Sequence, residues 1–268
     1  MGYAHGALLK DVAKGFVDNV WAYFEQQVRD SIDQFGLPEW LADMIEDVGL
    51  DVALGLTYDL TKNFTGQYFF DEMRGMSDAT GIDYERILHI HMIGELTKGT
   101  CSMFGAWGSA VAVPGTTLQL RALDWNVDGP FKDYPAVVVY HPSAGWGNNF
   151  ANLGFVGWIG TLSGQSDQHM AVSEIGISFP DSSFGNESRI GVPFTFILRD
   201  MLQDSQHRLS TANRTCYLVL GVGDGKEEMV NAVKYSYSVA YFMNDMVYEG
   251  MDWLCPTYQS VSFFSLGD

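Results

Sequence analysis

A cysteine, an arginine and an aspartate lie within 24 residues of one another and could together do chemistry. Cys101 stands between small residues, where a helical pattern gives way to a strand pattern. Arg121 and Asp124 follow a turn over residues 114–117, in a stretch that alternates like one strand of a hairpin. Pairing of the two strands would return both side chains to the thiol. A thiol, a guanidinium and a carboxylate in one place favour nucleophilic catalysis.

The nucleophile would need a base, and the chain itself can provide one. If the peptide bond before Cys101 is cut, the new α-amine, with an unperturbed pKa of about 7.7–8.0, can accept and return a proton. In the uncut chain the same thiol would attack the carbonyl of Thr100, forming a thioester that water then cleaves. Arg121 would raise the thiolate fraction. Asp124 would orient the amine through a charge-assisted hydrogen bond.

The order of three motifs carries a family resemblance. The chain resembles the N-terminal-nucleophile (Ntn) hydrolases of the acid ceramidase group in three motifs that follow one another. They are Cys101, Arg121-x-x-Asp124 and the glycine-rich run 154–164. That group also contains N-acylethanolamine acid amidase, choloylglycine hydrolase, penicillin V acylase and the penicillin-forming acyltransferases. The resemblance implies an αββα sandwich and an active-site glutamate at Glu174. The interval from Cys101 to Arg121 is longer than in the usual members, which a longer hairpin turn would absorb.

The apolar pattern changes from helical to extended near residue 100. Helical spacing predicts helices, and alternation or short apolar runs predict strands. The helices are expected at 10–32, 38–48, 50–60, 67–78, 84–96 and 195–204, with a sequel at 209–213. The strands are expected at 109–113, 118–123, 136–140, 154–161, 169–177, 217–221 and 260–266. Helices followed by strands predict an α+β fold with helices layered on antiparallel sheets.

We therefore expect residues 1–100 to form a mainly helical segment, which is the light chain after self-cleavage. Residues 101–268 would form the Ntn catalytic segment, without its last strands. Met1 leads directly into Gly2-Tyr3-Ala4-His5-Gly6 with no signal peptide. Because the resemblance places this segment inside a longer protein, we expect a truncated N-terminus. Asn244 is a candidate for the oxyanion-hole asparagine of the family.

Composition narrows the partners and the compartment. Thirty-three acidic against fifteen basic residues give a formal charge of −18, which repels phosphate backbones and excludes nucleic acid as a partner. The sequence contains no apolar run of about eighteen residues, so no transmembrane helix is predicted. The acidity is typical of a halophilic surface or of an acidic compartment. Glycosylation sequons at Asn63, Asn186 and Asn213 favour a lysosomal or secreted glycoprotein.

Several other motifs have simpler interpretations. His89 and His91 have no third ligand at metal-binding spacing, so no metal is predicted. The glycines of 154–164 and 221–225 lack a βαβ context, so no nucleotide cofactor is predicted. His5 is interpreted as structural, and Cys216 and Cys255 as either paired or buried. Four tryptophans either line an acyl pocket or pack in the core: Trp107, Trp125, Trp146 and Trp158.

The functional expectation is a self-processing cysteine amidase without cofactor that hydrolyses the amide of an apolar N-acyl lipid. By resemblance, ceramide-like or N-acylethanolamine-like lipids are the favoured substrates. The light and heavy chains would stay associated after cleavage. The apolar helix faces either pack in the core or contact a membrane peripherally. The alternatives are an acyltransferase, a phospholipase B-like ester hydrolase, or a non-catalytic lipid-binding or adhesion protein on the same scaffold.

Overall fold

The computed structural model describes residues 1–31, 45, 49–96, 100–124, 129–176, 190–204, 218–236, 239–243 and 261–265. Before Thr100, the regular elements in these residues are all helical. They are α1 (Gly2–Leu8), α2 (Lys10–Ser31), α3 (Leu50–Thr61), α4 (Gln67–Thr80) and α5 (Tyr84–Leu96). A further helix, α6 (Phe194–Gln203), follows most of the strands. The predicted helices at 10–32, 50–60, 67–78, 84–96 and 195–204 are confirmed; those at 38–48 and 209–213 lie outside the described residues.

Helix α2 explains how the helical layer builds its core. Phe16, Val20 and Phe24 recur at helical spacing and are buried together. Val28 packs partly against them, whereas Val12 at the start of the same stripe is 44% exposed. The core interpretation of this stripe therefore holds for its central residues. Helix α4 ends as the sequence predicts, because Gly81 adopts a left-handed conformation with φ 75°.

Ten strands among the described residues form two antiparallel sheets. The smaller sheet has the order β10-β1-β2, with β1 (Thr100–Ala106) between β2 (Leu118–Asp124) and β10 (Val261–Ser265). The larger sheet runs from β3 to β9 in chain order. Its strands are β3 (Pro135–Tyr140), β4 (Phe150–Phe155), β5 (Ser163–Ser166), β6 (Met170–Gly176), β7 (Leu218–Asp224), β8 (Met229–Ser236) and β9 (Val239–Met243).

The larger sheet separates two cores. On one face, Tyr140, Phe150, Val172 and Val233 belong to the same buried cluster as the helices. On the other face, Ile175 and Ala232 pack against Cys101 and Met103 of the smaller sheet. The described residues thus form a helical layer, a seven-stranded sheet and a three-stranded sheet in that order.

The predicted α+β class is confirmed by these layers. A helical layer over the outer face of the smaller sheet is not among the described residues. Leu118 and Leu120 on that face are 53% and 59% exposed.

Several strand predictions were wrong. The hairpin partner of β2 is β1 rather than 109–113, where residues 108–110 form a 3₁₀ turn. The strand expected at 154–161 ends at Phe155, because Gly157 turns the chain with φ 81°. Strand β7 continues through its glycines to Asp224, and β5, β8 and β9 were not predicted. The apolar run of β3 predicts a buried strand, yet Val137 is 65% exposed.

A helix that crosses a bilayer must be both long and apolar. Within the described ranges, no helix meets both requirements for a membrane span.

Candidate functional site

The register of β1 and β2 brings the candidate site residues together. Cys101 pairs with Leu123, and Met103 pairs with Arg121. Residues directly opposite in an antiparallel pair share a face, and alternate residues of one strand share it too. Cys101 and Arg121 therefore both face the seven-stranded sheet. Only residues 97–99 separate β1 from helix α5, which fixes the start of the strand beside the helical layer.

Arg121 contacts both the thiol and the larger sheet. Its Nη2 donates to the sulfur of Cys101 at 3.5 Å, and its Nε donates to the backbone carbonyl of Glu174 at 3.1 Å. Its Nη2 also lies 3.6 Å from Oε2 of Glu174. These contacts place one cation between a sulfur and a carboxylate. A guanidinium in this position stabilises a thiolate or a developing oxyanion.

Glu174 is buried, and the pKa of its carboxyl depends on burial and on two nearby charged residues, Arg121 and Glu95. Burial raises the pKa of its carboxyl to about 7, because the charged form loses its hydration. Arg121 opposes that rise in pKa, and the nearby Glu95 adds to it. The carboxyl therefore takes up a proton near neutral pH. Below that pH, the guanidinium of Arg121 faces a neutral acid instead of a carboxylate.

The sulfur lies in a small apolar cluster between the sheets. Cys101 is 2% exposed and packs with Met103, Ile175 and Ala232, while Leu123 covers the cluster in part. In this uncut chain Cys101 lies within β1, immediately after Thr100. The backbone of Thr100 is paired with Asp124.

A cavity of about 730 Å³ opens beside this cluster, between β2 and the β3–β6 half of the larger sheet. Arg121 lies on its wall, and most of the rest of the lining is apolar or glycine. Examples of the apolar lining are Val137, Leu153, Phe155 and Leu162. This size suits a small ligand, and the lining suits a mainly apolar one.

Some of the predicted residues are not placed by the structure. Asp124 belongs to β2, but its side chain lies outside the described residues. Asn244, Trp125, Cys216 and Cys255 also lie outside them, as do the sequons at 186 and 213. Asn63 of the remaining sequon is exposed, in the turn between α3 and α4.

The three tryptophans among the described residues do not line the cavity. Trp146 is 72% exposed in the turn between β3 and β4, and Trp158 stacks on His91 at 4.9 Å in the helical core. Trp107 is buried after β1 but does not line the cavity. Glycines of the 154–164 run do contribute, since Gly154 and Gly164 are part of the lining.

The histidines hold the helical segment to the loop between β4 and β5. Nε2 of His5 accepts from the backbone N–H of Gly157 at 3.0 Å, and Nε2 of His91 accepts from Ile159 at 2.9 Å. Nδ1 of His91 lies 2.7 Å from the carbonyl of Ile87, so it carries the ring proton. Burial lowers the pKa of His91 to about 4 and also lowers that of His5. Within the described ranges, no group of three metal-ligating side chains comes together.

Two sets of polar contacts in the interior were not predicted. Arg199 of α6 and Glu72 of α4 form a buried ion pair at 2.6 Å, 127 residues apart in sequence. Gln119 of β2 reaches across to β6 and β7, where it contacts Ser173 and the carbonyl of Gly221. A charged residue within an apolar helix was the available signal for Arg199. No local signal identifies its partner.

Comparison with known proteins gives partial relatives. No protein-family model matches the chain. Protein dcd1A of Dictyostelium discoideum is 39% identical over 259 residues, which cover 91% of this chain and 58% of that protein. Protein dcd1B of the same organism is 36% identical over 254 residues, which cover 91% of this chain and 50% of that protein. The chain thus spans between half and three fifths of the length of these curated relatives.

Comparison with solved structures gives matches of low similarity. An N-acylethanolamine-hydrolyzing acid amidase ortholog from Caenorhabditis elegans is similar with a TM-score of 0.39 and 14% identity, over 62% of this chain and 69% of that chain. Penicillin V acylase from Agrobacterium tumefaciens is similar with a TM-score of 0.26 and 12% identity, over 55% of this chain and 42% of that chain.

Proposed function

We propose that the chain is the self-processing part of an Ntn cysteine amidase that hydrolyses the amide of an apolar N-acyl substrate through an acyl-thioester. One observation carries the proposal: the guanidinium of Arg121 lies 3.5 Å from the sulfur of Cys101 and also lines an apolar cavity. The nucleophile thus contacts a cation that borders a volume for an acyl chain, while Cys101 itself is buried and does not line that volume.

Self-cleavage would be the first reaction. The sulfur of Cys101 attacks the carbonyl carbon of Thr100, and the C–N bond to Cys101 breaks as its nitrogen takes up a proton. Water then hydrolyses the thioester, which leaves a carboxylate on Thr100 and a free thiol and α-amine on Cys101. The register places Asp124 opposite Thr100, so its backbone position is next to the new amine. We assign Asp124 the role of orienting that amine.

Substrate hydrolysis would follow the same chemistry. The α-amine of Cys101 takes the thiol proton, the sulfur attacks the acyl carbonyl, and the amide C–N bond breaks as the amine returns the proton. Arg121 stabilises the negative charge that develops. Water hydrolyses the acyl-thioester, releasing the acid and restoring the thiol. The apolar wall formed by Val137, Leu153 and Phe155 would hold the acyl chain.

Glu174 would adapt the site to acid. Its pKa of about 7 means that it is neutral at lower pH, which leaves Arg121 available to act on the thiolate. This supports a lysosomal or secreted enzyme with acidic working conditions. The exposed sequon at Asn63 fits the same route.

Chain-end mass spectrometry tests the proposal most directly. Wild-type protein incubated at acidic and neutral pH should give two fragments, one of which begins at Cys101. Cys101→Ala should stay in one piece and release no acid from an N-acylethanolamine. A variant with Cys216→Ala and Cys255→Ala keeps Cys101 as its one cysteine and should still be cut. An uncut wild type under all conditions would remove the base and refute the mechanism.

A second candidate is a lipid-binding protein without catalysis. One observation favours it: the Cys101 side chain is 2% exposed in the uncut chain. A thiol-reactive acyl probe separates the two functions. Stoichiometric labelling of Cys101 supports catalysis, whereas saturable binding without labelling supports the second candidate. Parallel ester and amide substrates separate amide hydrolysis from a phospholipase B-like activity.

A further inference from the structure

Gln119 lies two residues before Arg121 on β2 and on the same face of the strand. Both side chains line the cavity between the sheets. The side chain of Gln119 does not end in the cavity, because its Nε2 crosses to the seven-stranded sheet. There it donates to the carbonyl of Gly221 at 3.0 Å and to the hydroxyl of Ser173. One amide thus joins β2 to β7 and β6.

The chemistry of the partners fixes which way this amide points. The carbonyl of Gly221 can only accept, so the NH₂ group of Gln119 must face it. Oε1 then points toward Gly223, and it has no hydrogen-bond partner within the described part of the chain. A 180° flip of the amide would set Oε1 against the carbonyl oxygen of Gly221.

Two glycines make room for this amide. A Cβ at Gly221 would lie 2.8 Å from Nε2 of Gln119, and a Cβ at Gly223 would lie 2.6 Å from Oε1. Both separations are shorter than van der Waals contact, so any larger residue would displace the side chain. The Gly221-x-Gly223 pattern, which lacks the context of a nucleotide site, therefore has a structural use of its own. We call Ser173, Gly221 and Gly223 the amide seat.

We propose that Gln119, held in the amide seat, is a positioning residue that sets the distance between Arg121 and the sulfur of Cys101. Arg121 itself contacts the larger sheet through the carbonyl of Glu174 at 3.1 Å. Two neighbouring side chains of β2 thus fix the strand to β6 and β7. When Gln119 no longer reaches the amide seat, β2 keeps its pairing with β1 but loses one of these two side-chain contacts to the larger sheet, and the guanidinium can move away from the sulfur. This inference rests on the proposed function, because it concerns the reactivity of the same thiol.

The test measures thiolate formation at Cys101 in the full chain by ultraviolet absorbance, with Cys101→Ala as the blank. Gln119→Ala should move the pH midpoint of thiolate formation upward by about one unit, which means a roughly tenfold smaller thiolate fraction at neutral pH. Gln119→Glu keeps the size but cannot donate to Gly221, so it should behave like Gln119→Ala. Gln168→Ala, in the exposed turn after β5, should leave the midpoint unchanged.

Gly223→Ala offers an independent approach from the other side of the contact. Its added methyl group should displace Gln119 and give the same upward shift. The double variant Gln119→Ala/Gly223→Ala should shift no further than either single variant, because both remove one interaction. Additive shifts would overturn the proposal, as would a wild-type midpoint in Gln119→Ala and Gln119→Glu.

The two levels of the proposal fail in different ways. If Arg121→Ala has the same midpoint as wild type, the electrostatic basis of the proposed function is at fault. If Arg121→Ala shifts the midpoint but the Gln119 variants do not, the amide seat alone is refuted. A thermal unfolding curve for each variant confirms that a shift comes from a folded protein.

Discussion

Two arginine–glutamate pairs, one in the helical core and one where β2 meets β6, differ in their geometry. In the helical core, Arg199 and Glu72 are in contact at 2.6 Å, and Arg199 also donates to the carbonyl of Ile159 at 3.0 Å. Where β2 meets β6, Arg121 and Glu174 stand 3.6 Å apart. The second guanidinium directs an N–H to the sulfur of Cys101 instead.

The surroundings explain the difference. Arg199 is fully buried, with its guanidinium 4.4 Å from the ring centre of Tyr140. Burial would lower the pKa of Arg199, but Glu72 and then Tyr140 outweigh burial and raise it, so the charge persists. Arg121 is about one tenth exposed and borders a cavity. The cation of the close pair, Arg199–Glu72, is engaged by its carboxylate, whereas the cation of the wider pair, Arg121–Glu174, is available to a thiol.

The largest effect should come from breaking the tight pair. Arg199→Ala leaves the carboxylate of Glu72 buried without its cation, which should cost about 3–5 kcal/mol of unfolding free energy. Urea unfolding followed by circular dichroism measures this decrease. Arg74→Ala removes an exposed arginine that lies over the ring of Tyr84 and should cost less than about 1 kcal/mol. Equal decreases in the two variants would mean that Arg199 is not a structural anchor.

The helical side should also lose stability in acid through His91. Its folded pKa of about 4 lies below the ordinary histidine value of 6.5, so the unfolded chain binds the proton more readily. The contribution of neutral His91 to the free energy of unfolding is complete above pH 6.5 and is lost as the pH falls through about 4. The decrease in unfolding free energy should reach about 3 kcal/mol.

Urea midpoints from pH 7 to pH 4 check this. His91→Gln keeps an acceptor for Ile159 without titrating, and it should flatten the acid limb. The exposed His141→Gln is the matched control and should keep the wild-type slope. A wild-type slope in His91→Gln would contradict the assignment.

Breaking the Arg121–Glu174 pair should affect activity more than stability. Arg121→Ala should reduce amide hydrolysis about tenfold to a hundredfold, since the pKa of the thiol rises by about one to two units. The free energy of unfolding should change by less than in Arg199→Ala. Activity assays and urea unfolding of the same preparation give both values. A variant that keeps wild-type activity would remove Arg121 from the site.

Glu174→Gln should give the smallest effect on activity. The pH dependence of stability that comes from Glu174 is opposite to that from His91. The folded pKa of Glu174 is raised to about 7 from 4.5, so its contribution to stability is complete below pH 4.5 and is lost as the pH rises through 7. Gln imitates the protonated form, so the variant should keep its stability and its activity at pH 7–8. We expect about a tenfold advantage in activity over wild type at that pH. A pH–activity profile identical to that of wild type would show that Glu174 does not control Arg121.

Sequence patterns predicted the parts of the fold that depend on near neighbours. Helices α2 to α6 follow from apolar residues at helical spacing, which bury one side of each helix whatever its partner is. Strand predictions failed where a turn decided the outcome, as at Gly157, or where strands had little apolar pattern, as in β5. Turns and weakly patterned strands depend on partners that local sequence does not specify.

The candidate site divides in the same way. The family resemblance pointed to Cys101, Arg121 and Glu174. In the structure, Cys101 and Glu174 both lie within 4 Å of Arg121. No sequence pattern indicated that Gln119 reaches Gly221, 102 residues away. None indicated that Arg199 meets Glu72.

The sequence by itself determined the residue types that can do chemistry, the helical first part of the chain and the α+β class. Only the tertiary structure decided which arginine is paired closely with a carboxylate in the core and which one remains available beside a thiol. The reason is physical. Helical periodicity is a property of successive residues, whereas the distance between two buried charges depends on how separate layers pack.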